Sequence, residues 1–264
     1  MMMAAAIAFY WLLSLIPLLL LGTSAVGYLL GSSDRAVDEV MAAAFRLAPR
    51  ATGPEVSRFL STLIRSRGVT GILGIGGLIW AAMGGFDIII SSLTALTESR
   101  ETRSFLRRKL IAVVLISTAG FLLVVALMGG WVLAAWPNVE ELLGVRIILP
   151  AFVSGPDFPR YAASVLMATL LTIVYRIAPA REIGWPAAMA GATLAALFWH
   201  GAKLGFNWFV SYYARISLFF GLLSGFIVLV LWIFYTAIVL LFGGMLADIF
   251  SRTARLQEPS VGAQ

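Results

Sequence analysis

The sequence predicts an all-α polytopic membrane bundle of six transmembrane helices, with an amphipathic helical segment between helices 1 and 2. Two observations support this prediction. Of the 264 residues, 61% are hydrophobic and 12% are charged, whereas soluble domains have roughly 45–50% apolar and about 25% charged residues. The charged residues also leave long apolar runs, and about 20 helical residues span the roughly 30 Å hydrocarbon core of a bilayer. The composition therefore excludes an ordinary soluble globule.

Six runs of low charge give the predicted spans, taken in chain order. The first run contains no charged residue before Asp34, and it is too long and too poor in basic residues for a secretory signal, so we expect it to be retained. The fourth span is the shortest, because Arg176 and Pro179 close it. The whole chain is predicted as a single membrane domain, 1–264, with a short polar C-terminal tail at 252–264. The predicted spans are 4–31, 69–97, 110–136, 161–178, 185–210 and 216–248.

The polar segment between the first two spans predicts two short amphipathic helices. Apolar residues recur at helical spacing within 37–45 and again within 56–64. Asp34 is placed as an N-cap of the first, and Pro54 suits the first helical position of the second. Such helices either lie at the lipid interface or cover the bundle.

Basic residues near the span ends predict the orientation. The short second loop concentrates five of the 19 Lys and Arg residues, which indicates a cytoplasmic loop and therefore cytoplasmic N- and C-termini. The first loop, which would then be external, carries six arginines, so the count over the whole chain does not decide the orientation. We give the dense short loop more weight. Its basic residues are Arg100, Arg103, Arg107, Arg108 and Lys109.

Two polar stripes interrupt the apolar spans. An ionisable group inside a span costs about 2.5 to 3.5 kcal/mol on insertion scales, so each is a functional candidate. The stripes predict a shared internal polar cavity. The alternative is that these residues form buried hydrogen bonds and ion pairs that only hold the helices together. The second span contributes Asp87, Ser91 and Thr94, and the fifth contributes His200, Lys203 and Asn207. Asp248 and Arg176 are expected to anchor helix ends or to pair with each other.

Glycines in the spans have a spacing that allows two helix backbones to approach closely. They lie in apolar helices with no preceding strand, so a nucleotide-binding loop is not expected. The absence of cysteine and the single histidine also exclude a thiolate metal site and a histidine cluster, so no cofactor or metal is expected. The predicted packing glycines are Gly71, Gly74, Gly77, Gly221 and Gly225.

Several short motifs occur together in one order. The chain opens with AAAIAFY at 4–10 and SLIP at 14–17, continues with ETRSFLRR at 101–108, and ends with GLLSG at 221–225, followed by Trp232, Tyr235 and the pair Gly243-Gly244. This arrangement resembles the YihY/BrkB family of bacterial inner-membrane proteins over nearly the whole chain. Members usually carry a polar segment before the opening motif, a Tyr where this chain has Phe220, and an Asn where it has Thr94.

The resemblance implies a six-helix protein of the bacterial cytoplasmic membrane, and it frames three functional hypotheses. The family was formerly labelled ribonuclease BN, but one histidine and scattered carboxylates offer no acid–base pair, so no enzyme is expected. A transporter or exporter of envelope lipid or another amphipathic substrate is favoured over a non-catalytic scaffold or assembly subunit. Membrane lipids, and no nucleic acid, are the expected partners. The substrate and any homo-oligomer are left open.

Overall fold

A computed structural model describes residues 1–29, 62, 66–97, 104–143, 158–216 and 221–257. The regular secondary structure in these residues is helix throughout, with no strand, which confirms the predicted class. The helices are α1 (Met2–Leu29), α2 (Arg67–Leu96), α3 (Phe105–Leu143), α4 (Phe158–Ile177), α5 (Trp185–Ile216) and α6 (Gly221–Gln257).

Four of the helices in these ranges are long and apolar enough to cross a membrane. The qualifying segments are Met2–Ala25, Gly68–Leu96, Phe105–Gly130 and Gly225–Leu256. Helix α4 contains a shorter apolar stretch, Tyr161–Ile177. The chain is therefore a multi-pass membrane protein, and the count of six spans stays a prediction.

Some helices extend beyond the predicted spans. Helix α3 continues past residue 136 to Leu143, and α6 continues to Gln257 through the first part of the predicted polar tail. Polar residues end an apolar run but do not end a helix, since Arg, Gln and Glu are good helix formers. The amphipathic segment predicted between the first two spans lies outside the described residues, apart from Thr62.

Hydroxyl side chains within the helices bond mainly to the backbone of the preceding turn. Thr118 Oγ1 donates to the Val114 carbonyl at 2.8 Å, and Thr193 Oγ1 donates to the Met189 carbonyl at 2.8 Å. A polar group in an apolar setting is costly only when it lacks a partner. Serine and threonine therefore fit these apolar helices without requiring a polar cavity.

The chain folds into two compact units, which are described separately. The first combines Met1–Gly85 with Trp208–Ala237. In it, α1 passes so close to α2 that a Cβ added at Gly74 would lie 2.9 Å from the Leu21 nitrogen. A Cβ at Gly77 would lie 3.0 Å from the Pro17 ring, and one at Gly71 would lie 2.7 Å from the Ser24 hydroxyl. Glycine at these positions is what permits the two backbones to approach.

The second unit combines Phe86–Asn207 with Ile238–Gln264. Its buried core is rich in alanine, whose small side chain lets helices pack closely. Large apolar side chains such as Leu106 and Leu204 instead point outward and are 78% and 74% exposed. Extensive exposed apolar surface is what a lipid-facing protein presents. Fully buried alanines of this unit include Ala112, Ala178, Ala188, Ala192, Ala195 and Ala247.

Candidate functional site

Asp87 on α2 forms an ionic cluster with the start of α3. Lys109 Nζ donates a hydrogen bond to Asp87 Oδ2, and Arg108 Nε lies 3.8 Å from Asp87 Oδ1. The Asp87 side chain is only 16% exposed, whereas Lys109 and Arg108 are 30% and 41% exposed. Lys109 Nζ also lies 5.7 Å from the centre of the Phe105 ring. We call Asp87, Arg108 and Lys109 the Asp87 cluster.

The Asp87 cluster changes the interpretation of the first polar stripe. The sequence predicts Asp87 as an ionisable group deep in an apolar span, yet the structure supplies two cations from the neighbouring helix, and a charge paired in this way is far less costly than an isolated one. The Ser91 hydroxyl bonds at 2.7 Å to the backbone carbonyl of Asp87, not to its carboxylate. Thr94 is partly exposed, and its carbonyl accepts from Thr97 Oγ1 at 3.0 Å.

His200 on α5 forms a second polar contact, with α4. The Ser164 hydroxyl and His200 Nε2 are 2.6 Å apart, a hydrogen bond whose direction depends on the histidine tautomer. One turn further along α5, Lys203 Nζ lies 3.7 Å from the centre of the Trp199 ring, a short cation–π contact. The side chain of Asn207, the third member of this stripe, lies outside the described part of the chain.

The two polar stripes thus contact different helices. Asp87 is paired with α3, and His200 is paired with α4. Among the described side chains, no hydrogen bond or ion pair joins Asp87 to His200 or Lys203. The single polar region that the sequence predicts for both stripes stays a prediction.

A tightly packed junction between α4, α5 and α6 is a feature that sequence reasoning missed. The fully buried Tyr175 hydroxyl on α4 donates at 2.8 Å to the Leu240 carbonyl on α6. Gly191 on α5 lies against α6, where an added Cβ would lie 2.6 Å from the Gly243 carbonyl oxygen. A Cβ on Gly243 would meet Ala195 and the Tyr175 hydroxyl, and one on Gly244 would meet Leu93 and the Tyr175 ring. We call this set of contacts around Tyr175 the Tyr175 junction.

The glycine signal for this junction was present in the sequence, but it is distributed over distant segments. Gly191 and the pair Gly243-Gly244 are more than 50 residues apart, so their spacing does not show that they meet. Of the predicted packing glycines in the last helix, Gly225 would place a Cβ in open space among the described residues. The surroundings of Gly221 lie outside them.

Arginines hold helix ends together in the second unit. Arg252 Nε donates at 2.7 Å to Asp248 Oδ2, and its Nη2 donates at 3.2 Å to the Thr97 carbonyl at the end of α2. Arg176 Nη1 donates at 2.7 Å to the Ile183 carbonyl in the connection between α4 and α5. Asp248 and Arg176 therefore anchor helix ends and do not pair with each other.

Comparison with known proteins gives the family. The model for the BrkB virulence factor matches residues 1–262. The chain belongs to this family. No solved structure matches the chain.

Among curated proteins similar to this BrkB-family chain, one from Bacillus subtilis strain 168 is named putative ribonuclease-like protein YfkH. It is 26% identical over 97% of this chain and 91% of its own length. A UPF0761 membrane protein from Kangiella koreensis is 23% identical over 91% of this chain and 57% of its own. Another, from Tolumonas auensis, is 28% identical over 50% of this chain and 40% of its own. The chain thus spans about half the length of these two UPF0761 relatives.

Proposed function

We propose that this BrkB-family protein moves an amphipathic substrate, of the envelope-lipid class, across or within the bacterial inner membrane. The observation that carries the proposal is the pair of His200 and Ser164 between α5 and α4, two of the six predicted spans, with Lys203 one turn away. Ionisable groups in membrane-spanning helices are expensive and typically mark substrate or ion pathways. A polar path beside exposed apolar surface suits a molecule with a headgroup and acyl chains.

A non-catalytic scaffold is the second candidate, and the Tyr175 junction favours it. There, close helix packing uses small residues and one buried hydrogen bond. If Asp87 and His200 serve only the same purpose, their partners Lys109 and Ser164 complete their role. The two candidates differ in whether His200 and Lys203 are needed for movement of a lipid or only for stability.

Lipid movement in reconstituted vesicles separates these candidates. A phospholipid labelled with nitrobenzoxadiazole on its headgroup is placed in both leaflets, and dithionite quenches only the outer leaflet. We expect the purified protein to make the inner pool accessible, and His200→Gln and Lys203→Met to slow this at least tenfold while the proteins remain folded. Thr193→Val is the matched control, since Thr193 lies on the same helix and, among the described residues, its hydroxyl bonds to its own preceding turn.

The scaffold candidate predicts a different result in this assay. Vesicles with the protein would lose no more label than empty vesicles, and His200→Gln would lower only the thermal stability. Equal movement by the wild type and both stripe variants would remove His200 and Lys203 from the proposed path.

We also propose cytoplasmic N- and C-termini, on the basis of the basic residues at the start of α3 and the end of α6. The chain has no cysteine, so single cysteines at Arg107 and Arg255 can be probed in intact cells with a membrane-impermeant thiol reagent. Both positions should label only after the membrane is permeabilised. Labelling of either in intact cells would overturn the orientation.

We further propose that the protein is not an enzyme, although a relative is named ribonuclease-like. Within the described ranges, no three His, Asp or Glu side chains are grouped as metal ligands. Purified protein should leave a labelled RNA intact with and without divalent cations. RNA cleavage that copurifies with the folded protein, and is absent from a mock purification, would contradict this.

A further inference from the structure

We propose that the start of α3 binds the phosphate of an anionic membrane lipid, with Arg107, Arg108 and Lys109 as the headgroup site. The inference goes beyond the proposed function, because a bound lipid at this site does not require that the protein move lipid at all. It also gives a separate role to Asp87, which would position Arg108 and Lys109 for the headgroup.

The charge balance at the start of α3 favours an anion. Three consecutive cations lie on the first turns of α3, and two of them, Arg108 and Lys109, lie against the single carboxylate of Asp87, as far as the described residues show. Lys109 is hydrogen-bonded to that carboxylate, but Arg108 lies at 3.8 Å, which is beyond hydrogen-bond distance, and its buried Nε has no hydrogen-bond partner among the described atoms. Arg107 is exposed and makes no ion pair there. A phosphate can accept charge-assisted hydrogen bonds from such arginines.

The surroundings of these cations favour a lipid as the source of the phosphate. Phe105, Leu106 and Leu110 lie beside them on the first turns of α3, and all three are largely exposed. The apolar segment Phe105–Gly130 begins at the same point, so the cations lie at one end of a candidate span. Lys and Arg side chains near span ends reach toward the headgroup region, and basic clusters there bind anionic lipids. A lipid would place its phosphate on the cations and its acyl chains along the exposed leucines.

Asp87 contributes by fixing the direction of the cations. Its carboxylate is largely buried and holds Lys109 from the neighbouring helix. Long basic side chains lose conformational entropy when they bind a ligand, and side chains that are already oriented lose less of it. Loss of the Asp87 carboxylate is therefore expected to weaken lipid binding, even though it removes a negative charge.

The test measures thermal unfolding of the full-length protein in a neutral detergent, followed by tryptophan fluorescence. Phosphatidylglycerol is expected to raise the unfolding temperature by about 3 °C, and phosphatidylcholine or inorganic phosphate at matched concentration by less than a third of that. Arg107→Gln and Arg108→Gln should each remove at least half of the phosphatidylglycerol effect. Arg107→Gln is the safer variant, since Arg107 makes no ion pair with another residue that the structure describes.

Arg181→Gln is the control for a general loss of positive charge, because Arg181 lies in the connection between α4 and α5, outside this cluster. It should retain the full phosphatidylglycerol effect. An equal effect of inorganic phosphate would show a free-anion site, and an equal effect of phosphatidylcholine would show solvation by any lipid. Either result would overturn the proposal. So would an unchanged phosphatidylglycerol effect on the unfolding temperature in both Arg107→Gln and Arg108→Gln. An equal loss of that effect in Arg181→Gln would overturn it as well.

Discussion

The Tyr175 junction and the Asp87 cluster lie in the same unit and hold helices together in opposite ways. At the junction, small residues let backbones touch, and one neutral hydrogen bond from Tyr175 to Leu240 is fully buried. At the cluster, a largely buried carboxylate is held by cations that remain partly exposed. Added side-chain volume should destabilise the closely packed junction, and a change of ionic strength should not. The ion pair should respond in the opposite way: its stability depends on charge and ionic strength and little on small changes in side-chain shape. Dense packing therefore points to a structural role, and the exposed cations point to a ligand.

The largest effect is expected from volume added to the Tyr175 junction. In Gly191→Ala the new Cβ would lie 2.6 Å from the Gly243 carbonyl oxygen and 2.6 Å from the Ala247 Cβ. Backbone atoms cannot move aside as a flexible side chain can, so we expect a loss of about 3 kcal/mol in the free energy of unfolding. Thermal unfolding in detergent, followed by tryptophan fluorescence, measures it.

Gly205→Ala is the matched control for this substitution. It lies on the same helix, and an added Cβ would meet nothing within 4 Å among the described residues. Because alanine has the higher helix propensity, this variant should be as stable as the wild type or slightly more stable. Equal destabilisation by the two variants would show that the junction is not tightly packed.

The second-largest loss of stability is expected from substitutions in the Asp87 cluster. Lys109→Met should lower the free energy of unfolding by about 2 kcal/mol, because it leaves a largely buried carboxylate without its hydrogen-bonded cation, although partial exposure of the pair reduces the cost. Asp87→Asn should cost less, because the cations it leaves behind can reach solvent. The double variant should be more stable than the sum of the single losses implies, by about 1 kcal/mol. Strict additivity would mean that the two side chains do not interact in the folded protein.

These two regions also show what the sequence can and cannot predict. The helices follow from the apolar runs, and Asp87 stands out because it is the single charge in its run. The partner of Asp87 could not be predicted from the sequence. Lys109 is one of five basic residues in the second loop, and the orientation of the protein in the membrane already explains that cluster, so nothing marks Lys109 as a partner of Asp87. The junction was missed because a tyrosine in an apolar helix is unremarkable until a carbonyl on another helix is placed against its hydroxyl.

A smaller effect is expected when the hydrogen bond of the junction is removed without adding volume. Tyr175→Phe deletes the bond to the Leu240 carbonyl, which should cost about 1 kcal/mol, typical of one buried neutral bond. The same substitution removes one of the atoms that a Cβ on Gly243 would meet, so it should partly rescue Gly243→Ala. Rescue would be incomplete, since Ala195 remains in the way. No rescue at all would place the main conflict of Gly243→Ala elsewhere.

The smallest effect is a difference in salt dependence between the two regions. Raising sodium chloride from about 0.05 M to about 1 M shortens the electrostatic screening length several-fold, which weakens partly exposed ion pairs and leaves close packing unchanged. The stability difference between the wild type and Lys109→Met should therefore shrink by a few tenths of a kcal/mol. The difference between the wild type and Tyr175→Phe should stay constant, and this second pair corrects for any effect of salt on the detergent. If both differences shrink together, the distinction between an ionic and a packed region is lost. If neither changes, the Asp87 pair is screened from solvent in solution, and its cations are not available to an anionic headgroup.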